Sequence, residues 1–159
     1  MTTNLFNDGR TLPGLGLDER SMLEAWLDFH RATLLVKCEG LDDSLRKARP
    51  VATSELSLHG LVRHLAEVER IWFQRVLLDD QDAPRIWLRP GIVDSVLVPL
   101  DDADWNADRS AWLAECERSR SVAAGLGLDY EGIYRSQPCT LRWIYNHMIE
   151  EYARHNGHA

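Results

Sequence analysis

Apolar residues recur every third or fourth position in four separate stretches, and this period places them on one face of a helix. No other feature constrains the fold of this chain as much. In the first stretch Met22, Trp26, Phe29, Thr33 and Val36 step this way. Asp18 and Glu19 suit a helix N-terminus and Gly40 supplies a stop, so residues 18–39 are read as helix. Ser57 can cap a second helix running to about Leu78, with a stripe of Leu58, Leu61, Leu65, Val68, Trp72 and Val76. Asp101, Asp102 and Asp104 load negative charge onto the start of a third helix at about 104–124, where Trp105, Trp112, Cys116 and Ala123 can share one side. After a connection containing Pro138, Thr140 can cap a fourth helix at about 140–158 with Leu141, Ile144, Met148 and Tyr152 inward.

Between these stretches, residues 1–17 carry Gly9, Pro13, Gly14 and Gly16 and read as an irregular N-terminal arm, leaving 18–159 as one domain. Residues 41–53 read as a connection. Residues 79–103 hold Pro84, Pro90, Gly91 and Pro99, and a β-like alternation over 93–98 is too short and isolated to build a sheet. A connection this long crosses over a helical bundle or lines a site. The predicted fold is therefore all-α, a four-helix bundle with a long crossover between the second and third helices.

The 159 residues include 18 Lys+Arg against 25 Asp+Glu, a net charge of −7. That balance argues against a nucleic-acid partner, whose affinity rests on phosphate neutralisation. No apolar run approaches the ~18 residues of a membrane span, and the opening residues lack a secretory signal pattern, so a cytoplasmic protein is expected. Cys38, Cys116 and Cys139 form no CxxC and read as reduced, structural thiols. The six tryptophans (26, 72, 87, 105, 112, 143) read mostly as core or crossover packing, with one or two able to wall a ligand pocket, and Arg63, Glu67, Glu69 and Arg70 as a solvated helix face.

The chemistry lies in the histidines. Half of the six fall in the last 13 residues, and His147, Glu151, His155 and His158, spaced +4, +4 and +3, share one helix face. Imidazole and carboxylate in this arrangement suit zinc or another divalent transition metal. His147 and His155 are about 12 Å apart along the axis at ~1.5 Å per residue, too far to share an ion. His147/Glu151 and Glu151/His155 both stay open on spacing, while Gly157 makes His155/His158 the least rigid pair. A third ligand must come from another helix. His64, mid-helix beside Leu61, Leu65 and Val68, is the best donor; His30 is weaker, and His59, in a first turn, is expected near solvent. No Glu-x-x-His occurs, which excludes the di-iron carboxylate pattern. Nucleotide-binding glycine loops, a nucleophile elbow and His-Glu-x-x-His are also absent. The competing reading of each histidine is a hydrogen-bonded core residue.

Residues 61–73, Leu-Val-Arg-His-Leu-Ala-Glu-Val-Glu-Arg-Ile-Trp-Phe, together with 147–159, His-Met-Ile-Glu-Glu-Tyr-Ala-Arg-His-Asn-Gly-His-Ala, resemble the DinB-like superfamily, in the branch grouped with mycothiol-dependent enzymes. Residues 31–35 and 37–41 fit that branch as well. The resemblance implies one divalent metal, held by a histidine of the second helix and two ligands one turn apart on the last. Carried over, these are His64, Glu151 and His155, with His147 and His158 as pocket candidates. It implies zinc foremost, with nickel, iron or manganese also able to accept the set, and pairing into a homodimer. The function it implies is a metal-dependent thiol S-transferase that activates a mycothiol-type thiol for attack on an electrophile, or a thiol-dependent isomerase. A non-catalytic metal-binding bundle and a metal-free ligand-binding or dimerisation module are the alternatives.

Overall fold

The computed structural model describes residues 8–89, 91, 97 and 101–159. Helix α1 (Glu19–Cys38) is capped by Asp18, whose side chain accepts the Ser21 N–H, and it gives way at Gly40, where φ is +69°. A short helix α2 (Asp43–Lys47) follows, then α3 (Leu58–Arg70), whose first turn is capped by Ser57. α3 continues as a π-helical turn over Ile71–Val76, in which the Leu77 N–H reaches back to the Trp72 carbonyl. Asp79, in the left-handed region at φ 52°, ends the run. Helix α4 (Trp105–Ala124) starts at the Asp104 cap. Strands β1 (Glu131–Tyr134) and β2 (Gln137–Thr140) form an antiparallel hairpin, and α5 (Leu141–His158) begins at the Thr140 cap. Among the described residues no helix is long and apolar enough to cross a membrane.

The expected all-α four-helix bundle is therefore corrected, because the described chain has five helices, one with a π-helical extension, and a two-stranded antiparallel sheet. Helix α2 arises inside the expected 41–53 connection because Asp42 caps it and Lys47 pairs with Asp43 across one turn. The hairpin replaces the expected loop around Pro138. Its turn residues Arg135 and Ser136 both have positive φ, the sense that matches the twist of paired strands. The usual Asn-Gly signal is missing, so nothing local announced it. Gly132 of β1 packs against the backbone of Val76 and Leu77, where a Cβ would lie 2.2 Å from the Val76 carbonyl oxygen. Most of the 93–98 alternation lies outside the described residues.

α3 pairs most extensively with α4, and α1 with α5. The stripes expected for the second, third and fourth stretches do face the core, with Leu58 and Trp105 at its edge. The stripe of α1 does so only at Thr33, with Phe29 and Val36 half-buried. Met22 is 40% and Trp26 36% exposed, while Leu23, Leu27, Arg31, Leu34 and Cys38 turn inward. Arg31 broke the apolar pattern on that face, and its burial depends on a partner from another helix. The Arg31 guanidinium donates to both carboxylate oxygens of the wholly buried Glu69, at 2.8 and 2.7 Å. The Tyr152 hydroxyl donates to the same carboxylate at 2.7 Å and accepts from the Trp112 indole at 2.8 Å. This polar layer joins all four long helices.

The expectation of a solvated Arg63/Glu67/Glu69/Arg70 face is corrected in the same way, because α4 and the 84–88 segment cover it. Arg70 pairs with Glu115, Arg63 with Asp108, and Glu67 accepts the N–H groups of Trp87 and Leu88.

Candidate metal centre

His64 projects from the middle of α3, and Glu151 and His155 lie one turn apart on α5. The Nε2 atoms of His64 and His155 approach the same Glu151 oxygen, Oε1, at 3.1 and 3.3 Å. One ligand atom from each of the three residues falls within 4.8 Å of the others. Donors of a tetrahedral site with bonds of ~2.0–2.1 Å are about 3.3 Å apart, so these separations suit one ion. Hydrogen bonds from His155 and then His64 hold the Glu151 carboxyl far below its ordinary value, against the opposing effect of burial. Side-chain exposures of 27, 13 and 15% leave the cluster partly accessible to solvent. The His155 Nδ1 is buried without a hydrogen-bond partner among the described residues. The carboxylates close to the ligands in sequence are engaged elsewhere: Glu67 with the 87–88 backbone, Glu69 with Arg31, Glu150 with Arg154.

The other histidines separate by environment. His147 lies one turn before Glu151, but its ring stacks on Trp143 at 5.1 Å and 13° and meets Trp72 at 4.4 Å, outside the donor cluster. His158 sets its ring edge-on to His155 at 5.6 Å and lines a groove beside it. His30 packs with Trp26 and Phe29 on α1. His59, expected near solvent, is wholly buried; its Nε2 lies 2.7 Å from Asp108 Oδ2, and its ring stands edge-on to Trp105. Helix α4 covers that first turn, a contact that helix position alone could not reveal. Of the six tryptophans, read as packing with one or two able to wall a pocket, Trp143 is 47% exposed and Trp72 is buried beside it.

The fold and this site define a helical protein with an accessible His/Glu/His cluster shared by two helices. A family model described as Mycothiol-S-transferase matches residues 22–159, and the chain belongs to that family. In general terms this sets its function within mycothiol-related, transferase-like chemistry. No curated protein and no solved structure matches the chain.

Proposed function

We propose that the protein is a divalent-metal-dependent thiol S-transferase that uses a mycothiol-type thiol, with His64, Glu151 and His155 as the metal ligands. The observation that carries this reading is the meeting of two imidazole Nε2 atoms on one carboxylate oxygen, in a cluster partly accessible to solvent. Two neutral imidazoles and one carboxylate leave about +1 on a divalent ion and at least one coordination position free. A cation bound there supplies the Lewis acidity that lets an entering thiol ionise near neutral pH. His64 and His155 would orient the donor set from separate helices, and Glu151 would supply its negative charge.

Zinc is the first choice of metal, and nickel, iron and manganese accept the same donors. The three free, buried cysteines support a reducing, cytoplasmic setting, and a homodimer is part of the proposal.

Metal analysis of the native protein and of His64→Ala and His155→Ala tests the ligand set. About one ion per chain in the native protein and substoichiometric metal in both variants is the expected result; stoichiometric metal in both variants overturns it. Thiol transfer is tested separately, by following consumption of mycothiol, bacillithiol or glutathione by metal-loaded protein with a generic electrophile.

A further inference from the structure

A cavity of about 200 Å³ lies between α1 and α4, and it shares no residue with the proposed metal cluster. Phe73, Ser119 and Tyr145 form its buried floor. Glu24 and Asp28, one turn apart on α1, stand at its mouth with side chains 44 and 47% exposed. The rings of Phe73 and Tyr145 meet edge to face at 5.9 Å and make the floor largely apolar. Ser119 interrupts that surface. Its Oγ is buried beside Glu69 yet completes no hydrogen bond among the described residues. A buried hydroxyl without a partner is destabilising, and a ligand that reaches it removes the penalty. The mouth carries an unbalanced charge. Arg20, Arg31 and Arg120 pair with Glu24, Asp28, Glu69 and Glu117 in one connected network, three guanidiniums against four carboxylates. Both hydrogen bonds to Glu24 fall on Oε1, from Arg20 and Tyr145, and the three shortest to Asp28 fall on Oδ1. The second oxygen of each carboxylate keeps lone pairs to offer a donor.

We infer that this cavity binds a small organic ammonium: its amine meets Glu24 and Asp28 at the mouth, its short apolar body lies on Phe73 and Tyr145, and a hydroxyl at its far end meets Ser119. The volume sets the size. A cavity of ~150 Å³ engineered into another protein holds benzene, so a single ring with two short substituents fits here. The charge follows from the network. An ammonium supplies the missing positive charge, whereas a carboxylate would add a second uncompensated negative one. Ser119 can both donate and accept, so a hydroxyl satisfies it in either sense.

Isothermal titration calorimetry at neutral pH and physiological ionic strength tests the site with three probes of similar shape. They are para-(aminomethyl)phenol, benzylamine, which lacks the hydroxyl, and para-cresol, which lacks the amine. Native protein is compared with Glu24→Gln and Ser119→Ala, and urea denaturation follows the stability of each. Expected is one para-(aminomethyl)phenol per chain, with benzylamine and para-cresol each at least fivefold weaker. Glu24→Gln should weaken both amines at least fivefold and leave para-cresol within twofold. Ser119→Ala should bring para-(aminomethyl)phenol down to the affinity of benzylamine. Its urea midpoint should stay at or above that of wild type, because the hydroxyl it removes had no partner. Para-cresol that binds as tightly as para-(aminomethyl)phenol overturns the assignment of an ammonium. No saturable binding of any probe overturns the site. Saturable binding of the amines that neither variant alters also overturns it, by placing the cation elsewhere on a chain of net charge −7.

Discussion

Glu151 lies between two imidazoles from different helices, and its carboxylate is the charge through which the cluster would recognise a cation. Glu151→Gln keeps the shape and removes that charge. Its affinity for zinc should fall by more than the ~10–100-fold that loss of an outer partner costs, read by competition with a chromophoric chelator. His147→Ala, one turn away, should keep full metal stoichiometry in the same assay, because its ring is committed to Trp72 and Trp143. The cysteines follow opposite logic. Burial pushes the Cys38 thiol up to about 11, with Arg46 opposing, and burial also raises Cys116 and Cys139. Native protein should therefore react with a disulfide reagent far more slowly than denatured protein, which should titrate all three thiols. These residue environments were partly legible. The four-residue spacing of Glu151 and His155 announced a shared face, whereas the burial of His59 depended on Asp108 arriving from α4.

The helices were readable because their ends carry local chemistry. Asp18, Ser57, Asp104 and Thr140 each accept a backbone N–H in the first turn, and each is a residue type that does so in isolation. The hairpin was not readable, since Arg135 and Ser136 adopt positive φ without the residues that favour it. β1 is instead held against the end of the π-helical turn through Gly132. Gly132→Ala should cost about 1–3 kcal/mol by overpacking, measured by urea denaturation, because the obstructing atoms belong to backbone and cannot swing aside. The π turn itself brings Trp72, Phe73 and Val76 into the core together and carries Trp72 onto His147.

Across the molecule, the Arg31–Glu69–Tyr152–Trp112 layer ties the four long helices at the level where the site is assembled. Arg31→Met leaves a buried carboxylate without its cation and should destabilise the protein by about 3–5 kcal/mol in urea denaturation. Burial would raise the Glu69 carboxyl, but the charge and hydrogen bonds of Arg31 outweigh it and hold the group below its ordinary value. Its contribution to stability is complete above the unfolded carboxylate range, near pH ~4.3, and is lost as pH falls through the lower folded value. The stability gap between wild type and Arg31→Met should therefore narrow in acid, as denaturation midpoints at pH 7 and pH 3 would show.

Periodicity and capping are properties of neighbouring residues, so the chain alone dictated where the long helices start and stop and which side chains share a face. Arg31 shows where that information ends. A charged residue inside an apolar stripe can be buried only if another helix delivers its counter-charge, and that delivery is a long-range event. The same holds for the hairpin against Val76, for His59 under α4, and for the approach of His64 to Glu151 and His155. Packing decided each of these, because their stability comes from atoms far apart in the chain that meet only once the helices have assembled.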